Sequence, residues 1–172
     1  ELLTKVDKAF SELVEIGLAE APEGGWAVFG AQSAGCNPIA TALHEGTDHI
    51  VPVKPTGIAK SLNIGDPAAG AYAIEAVRRT GGWMDYANDE EIRAGIRLLA
   101  ETTGIFAETA GGTTVAVLKK LVESGKLDPT KETVVLNTGE GLKTLDAVAE
   151  QVGPTHQIKP SLRGAREAGL LG

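Results

Sequence analysis

Apolar residues recur at helical spacing from the start of the chain. Leu2, Leu3, Val6, Phe10 and Leu13 predict an amphipathic helix over about 2–18, ending near Gly17. The pattern then shortens. Trp26 to Gln32 (WAVFGAQ) predicts a strand, broken by Ser33-Ala34-Gly35 and followed by a helix from about Asn37 to Glu45. Residues 46–67 carry Pro52, Pro55, Gly57, Gly65 and Pro67 and show no period. Loops that long inside a domain are usually functional or disordered. Ala68 to Arg79 returns to helical spacing through Ala71, Ile74, Ala76 and Val77, and Gly82 to Ala87 reads as a short strand. Asn88 then caps a helix reaching about Thr102, with Asp89, Glu90 and Glu91 in its first turn, where the helix dipole favours anions. Gly104 to Glu108 is too short to classify, and Ala110 to Ser124 is another helix. Thr133, Val134, Val135 and Leu136 predict a buried strand that runs into Asn137-Thr138-Gly139-Glu140-Gly141, with a helix opening at Leu142. The final strand and helix together occupy 132–150.

This alternation predicts an α/β fold, a three-layer αβα arrangement with a mostly parallel sheet and helices on both faces. A length of 172 residues fits one domain with a sizeable core. Clear periodicity stops after Gly153, so residues 1–150 are expected to form the domain and 151–172 a loosely packed tail. The net charge of −7, with no basic stripe, argues against nucleic acid as a partner. No apolar run approaches the roughly 20 residues of a membrane span. The charged, amphipathic amino end is unlike a signal peptide. A single cysteine, Cys36, leaves no internal disulfide and fits a reducing cytoplasm, the expected location. His44, His49 and His156 are scattered, so no metal-ligand cluster is visible. Glu1 is not a methionine and no capping residue precedes the first helix, from which the chain is expected to be part of something larger.

Candidate chemistry lies in the turns after strands or apolar runs. These are Ser33 to Pro38, Glu108 to Thr113 and Asn137 to Gly141. In open parallel sheets, ligands bind at the carboxyl ends of strands, and a helix amino terminus offers free N–H groups to an anion. Glycines at 139 and 141 permit a sharp turn and a close backbone approach, while Thr138 offers a hydroxyl at the rim. The same segment also reads as a tight turn without a ligand. None of these turns has the spacing of a phosphate-binding loop or a dinucleotide fingerprint. Glu108 has two readings, as a first-turn carboxylate complementing the helix dipole or as a group facing a cofactor or substrate. Cys36 reads as a packing residue, His44 and His49 as surface groups, and Asp89 to Glu91 as a solvated helix start. Lys54, Lys60 and Lys143 lie near candidate loops.

The segments LLTKVDKAFSEL, GAQSAGCNPI, GIAKSLNIGDPAAGAYA, NDEEI, LLAETTGIFAETAGGTTVAVLKKL and VVLNTGEGLKTLD together resemble the carboxyl-terminal half of the threonine synthases. These are pyridoxal-phosphate enzymes of the tryptophan-synthase-β-like class, fold type II. GIAKSLNIGDPA and TGEGLK are the specific parts of the likeness. The resemblance implies conversion of O-phospho-L-homoserine and water into L-threonine and phosphate, with pyridoxal 5'-phosphate as cofactor. It implies that Thr138 hydrogen-bonds the pyridine nitrogen, beside Gly139. The backbone around Ala59 and Ser61 would lie against the ring, and Glu108 near its edge. It further implies a partner, the amino-terminal half of the same enzyme, because the family's Schiff-base lysine motif and phosphate-cradling glycine loop do not occur here. No catalytic residue is therefore expected in this chain, and on its own it is expected to be inactive. Ala34 stands where the family often has glutamate, and Thr109 where it often has proline; these departures put a side-chain contact at 34 in doubt and loosen the turn at 109.

Other readings are a related dehydratase or β-replacement enzyme, or a non-catalytic α/β binding module. A missing partner should leave an exposed apolar face, from which self-association into a homo-oligomer or a mobile 46–67 loop is expected.

Overall fold

A computed structural model describes residues 1–171. Strands β1 (Gly30–Ser33) and β2 (Met84–Ala87) pair in parallel, with Gly30 opposite Met84 and Ser33 opposite Ala87. A parallel pair needs a crossover. The intervening chain supplies it with α2 (Pro38–His44), a 3-10 turn at Lys60–Leu62 and α3 (Gly70–Arg79). Helix α1 (Leu2–Glu15) precedes β1. After β2 come α4 (Asp89–Thr103), α5 (Thr109–Glu123), a 3-10 stretch Gly141–Ala147, α6 (Ala149–Val152) and α7 (Leu162–Glu167).

Side chains alternate across a strand, and in β2 this sets the layers. Met84 and Tyr86 meet Ala40, Leu43, Ile74 and Val77 of α2 and α3, with Leu3 of α1 against them. Ala87 faces the other way, toward Ile92, Ile96, Val117 and Leu121 of α4 and α5. Both faces of the small parallel sheet are covered by helices, the α/β layering that the pattern predicts.

Helices α4 and α5 make the tightest joint. Asn88 Oδ1 accepts the Glu91 N–H at 2.9 Å and Glu91 Oε2 accepts the Asn88 N–H at 2.8 Å, a reciprocal capping box. The helix stops at Gly104, whose φ of 77° suits glycine. A Cβ on Gly95 would run into the Gly112 carbonyl, so the missing side chains let the backbones touch. Lys120 of α5 closes the joint, donating to the Tyr86 carbonyl at 2.8 Å and pairing with Glu91 Oε2 at 2.8 Å.

Several sequence expectations need correction. The apolar stripe of α1 divides into two faces. Leu3 packs inward and Phe10 meets the Trp26 ring edge-on at 4.8 Å, whereas Leu2, Val6, Leu13 and Ile16 are exposed. Between the inward positions, buried Asp7 pairs with Arg79 and accepts the Trp26 Nε1–H at 3.0 Å, tying α1 to α3. The strand expected from Trp26 begins only at Gly30, because the Val28 N–H goes to the Thr80 hydroxyl at 3.0 Å rather than to a neighbouring strand.

The strand expected over Thr133–Leu136 lies outside the sheet. No N–H from Thr133 to Thr138 finds an acceptor among the described residues. β-propensity states a fit to a pleated, packed surface, and no strand among the described residues is adjacent to provide one. The helix expected from Leu142 is a 3-10 stretch kinked at Thr144, whose hydroxyl accepts the Thr109 N–H at 3.1 Å. In the tail, Ser161 caps α7 through the Gly164 N–H, but residues 151–163 are all exposed. No helix among the described residues is long and apolar enough to cross a membrane.

Candidate active site

The turns that follow the strands interlock. Ser33 ends β1, and the next N–H, of Ala34, reaches the Ala87 carbonyl at the end of β2 at 2.8 Å. The Gly35 carbonyl accepts the Thr56 N–H at 2.9 Å, which lays the long loop over this edge. The Ile58 N–H donates to Asp89 Oδ1 at 3.2 Å. Between these anchors Gly57 has a φ of 92°, and a Cβ there would lie 2.9 Å from Asp89 Oδ1 and 3.5 Å from Ser33 Oγ. Asp89 is therefore a loop anchor as well as a helix-start residue, a role that the reading of a solvated acidic run missed. Its place two residues after a strand was the available signal.

From this anchor the loop enters the core. Ala59 is buried beside Ala87, Val117 and Val148, and Ser61 is exposed on the following 3-10 turn. Lys60 Nζ stands 3.8 Å from Asp146 Oδ2, an exposed pair that contributes little.

The second cluster forms where Gly104 to Glu108 meets the Asn137–Gly141 turn. The Glu108 N–H donates to the Gly139 carbonyl at 3.0 Å, and the Gly141 N–H to the Phe106 carbonyl at 2.9 Å. Glu108 stands at the N-cap of α5, and its side chain makes no cap hydrogen bond. Its buried carboxylate lies against Gly139, where a Cβ would overlap Oε1. Gly139 is thus required by close approach. Thr138 is exposed and its hydroxyl makes no hydrogen bond among the described residues. The structure brings Glu108 and Gly139 into contact with Thr138 next in the chain. No hydrogen bond among the described residues joins them to the Ala59–Ser61 turn.

Two further hydroxyls carry an unmet capacity that the sequence reading did not single out. Ser33 Oγ and Thr109 Oγ1 are buried without a partner at the carboxyl end of β1 and the start of α5. Buried polar groups are normally satisfied, so each is available to a ligand or water. Cys36 is buried, and burial pushes its thiol pKa up against the lowering effect of the Ile64 backbone. That leaves it a packing residue. His44 and His49 are both exposed, as expected; His44 also stacks on Trp83 at 5.3 Å and its Nε2 lies 2.8 Å from the Met84 carbonyl. No group of His, Cys, Asp or Glu among the described residues could hold a metal ion.

A small parallel sheet covered by helices on both faces, with the unpaired Ser33 hydroxyl at its carboxyl edge, defines an α/β class. The sequence profile of the pyridoxal-phosphate dependent enzymes matches residues 13–139, and the chain belongs to that family. Within it the relatives are threonine synthases. The chain is 36% identical to that of Methanocaldococcus jannaschii over 84% of its own length, covering 35% of the relative. It is 37% identical to that of Bacillus sp. strain ULM1 over 73% of its length, covering 37%. It is 31% identical to that of Methanosarcina acetivorans over 96% of its length, covering 40%. The chain therefore spans well under half of these relatives. Among solved structures, Escherichia coli threonine synthase superposes with a TM-score of 0.56 at 19% identity, over 84% of this chain and 33% of that one. Threonine deaminase isoform 2 of Solanum lycopersicum gives 0.58 at 20% identity, over 74% and 37%. Both share the fold.

The family's cofactor is pyridoxal phosphate, and the residues present fit part of it. A free Thr138 hydroxyl suits a ring nitrogen, and the orphaned Ser33 and Thr109 hydroxyls are polar capacity left unmet by the protein.

Proposed function

We propose that the chain is the carboxyl-terminal portion of a threonine synthase, which converts O-phospho-L-homoserine and water to L-threonine and phosphate. The observation that carries this reading is the likeness to threonine synthases at 31 to 37% identity along most of the chain. Bound, the cofactor would supply an electron sink for proton loss from the substrate's amino-bearing carbon and from the carbon beside it. The exposed Thr138 hydroxyl would hold the pyridine nitrogen by a hydrogen bond. A neutral partner leaves that nitrogen largely unprotonated, unlike a carboxylate. Gly139 would allow the turn to approach the cofactor, the backbone of Ala59 and Ser61 would help to hold it, and Glu108 would stand close by. The lysine that holds the cofactor belongs to the amino-terminal portion, the chain's partner. The exposed stripe of Leu2, Val6, Leu13 and Ile16 on α1 supports such a partner, since apolar faces of this kind are usually covered.

The test joins this chain to the amino-terminal portion of the M. jannaschii threonine synthase and follows threonine and phosphate formed from O-phospho-L-homoserine. Activity from the mixture and none from either part is expected. Thr138→Val should cut kcat at least about tenfold, as loss of one ring hydrogen bond implies, with the folded chain unchanged by circular dichroism. Release of ammonia and a 2-oxo acid from threonine, with no reaction of the phosphorylated substrate, would replace this reading by a dehydratase. No activity of either kind would favour the non-catalytic module.

A further inference from the structure

We infer that Thr144 is a positioning residue, which sets the place of the Thr138 hydroxyl through a hydrogen bond to the backbone of Thr109. The inference rests on the reading of Thr138 as the group that holds the cofactor's ring nitrogen. Hydrogen bonding holds Thr138 from its downstream side, since no N–H from Thr133 to Thr138 finds an acceptor among the described residues. The clasp begins with backbone bonds. The Glu108 N–H reaches the Gly139 carbonyl at 3.0 Å and the Gly141 N–H reaches the Phe106 carbonyl at 2.9 Å, closing an antiparallel bridge between Ala107 and Glu140. A further link follows, from the Thr109 N–H to the Thr144 hydroxyl at 3.1 Å. Its acceptor is a side chain, so this link depends on which residue stands at 144.

The link is anchored in the best-packed part of the molecule. Thr109 is the first residue of α5, and the first N–H groups of a helix have no acceptor within it. Thr109 is also fully buried, so its N–H would lose water and gain nothing if Thr144 let go. Thr144 meets it where the 3-10 stretch leaves helical geometry, at φ −134° and ψ 39°. Helix α5 in turn packs through Val117 and Leu121 in the core beside Ile92 and Ile96 of α4. Thr144 thus ties the turn that bears Thr138 to a rigid element.

At position 109 the backbone does this work and the side chain does not. Thr109 Oγ1 is buried without a partner, whereas its N–H carries the bond to Thr144. A proline at 109 would have no N–H to give. Threonine there therefore gains the turn a bond.

Two measurements test the inference: amide exchange on this chain, and cofactor titration of its complex with the amino-terminal portion of the M. jannaschii enzyme. On the chain, Thr144→Val should speed exchange of the Thr109 amide at least about tenfold, and Thr144→Ser should restore its protection. In the complex, Thr144→Val should weaken pyridoxal 5'-phosphate binding by about threefold or more, again with rescue by Thr144→Ser. Thr109→Pro is the backbone counterpart. Proline suits the first position of a helix, and Glu108 already has the extended backbone that precedes one, at φ −68° and ψ 175°. It should weaken the cofactor as Thr144→Val does, and the double variant should be no weaker than the worse single, since both cut one bond. Thr109→Val keeps the N–H and should bind like the parent. In a Thr138→Val background, Thr144→Val should have no further effect, because it acts through Thr138. Any of the following would overturn the positioning role: an unchanged Thr109 amide or cofactor affinity in Thr144→Val, a loss that Thr144→Ser does not recover, an equal loss in Thr109→Val, or a further loss in the Thr138→Val background. Cofactor binding that responds as expected, without threonine formation, would sink the proposed reaction and leave the positioning role standing. No complex, or one that takes up no cofactor, would overturn both.

Discussion

The α4–α5 pair and the stretch from Thr133 to Leu145 are built from similar apolar residues, yet they have opposite fates. In the first, Ile92, Ile96, Val117 and Leu121 are fully buried, the helix start is capped reciprocally, and Lys120 binds the strand, one helix and the other. In the second, Val134, Leu136, Leu142 and Leu145 are exposed, and the backbone of 133–138 is unbonded. Local sequence suffices where the packing partner lies a few residues away. It does not suffice at Thr133 to Leu136, where no strand among the described residues lies alongside.

The strongest way to break this contrast is Ile96→Ala. It should destabilise the chain by about 3 kcal/mol, read as a lower urea midpoint at unchanged slope, because the side chain is fully buried. A loss below about 1 kcal/mol would mean that the helix pair is not the stable half. Gly95→Ala comes next. Its methyl group would meet the Gly112 carbonyl, and pushing the helices apart should cost about 2 kcal/mol in the same measurement.

A pH titration sharpens the comparison further. Burial raises the Glu91 carboxyl pKa, but the Lys120 hydrogen bond, the Asn88 N–H and the Lys120 charge outweigh it, so the net shift is downward. A depressed folded pKa means stability that is present above the unfolded glutamate value and is lost as pH falls through the folded one. Glu91→Gln should flatten that acid limb of the stability curve and leave the neutral-to-alkaline part parallel to the parent's. Smallest of all, Val134→Ser should change the isolated chain's stability by less than about 0.5 kcal/mol, since the side chain is already in solvent. A larger loss would show that the segment packs internally after all.

What was legible follows the same division. Asn88 with Glu91 three residues on, and Gly104 after the last helical turn, mark α4 within a residue or so, because caps are written in contiguous sequence. The three-layer class was legible from alternating periods. The strand at 133–136 was legible as a propensity but not as a pairing, since no strand among the described residues pairs with it. The kink at Thr144 depends on a hydroxyl reaching an N–H thirty-five residues earlier, which no local window contains. At the site, the turn bearing Thr138 and Gly139 was readable from its glycines. The contact between Gly139 and Glu108 needed coordinates, as did the anchoring of Ile58 by Asp89.

The short link between α4 and α5 also bears on the order of folding. Residues Gly104 to Glu108 are all that separates two helices in direct contact, whereas β1 and β2 must wait for the α2–α3 crossover before they can pair. Closing a short loop loses less chain entropy than closing a long one, so the helical hairpin should form early and the strand pair late. Changes at Ile96 are then expected to slow refolding, while changes at Val77 chiefly hasten unfolding, a split that stopped-flow kinetics would read directly. A hairpin that nucleates by itself would give the chain a rigid seed on which the rest of an enzyme could condense.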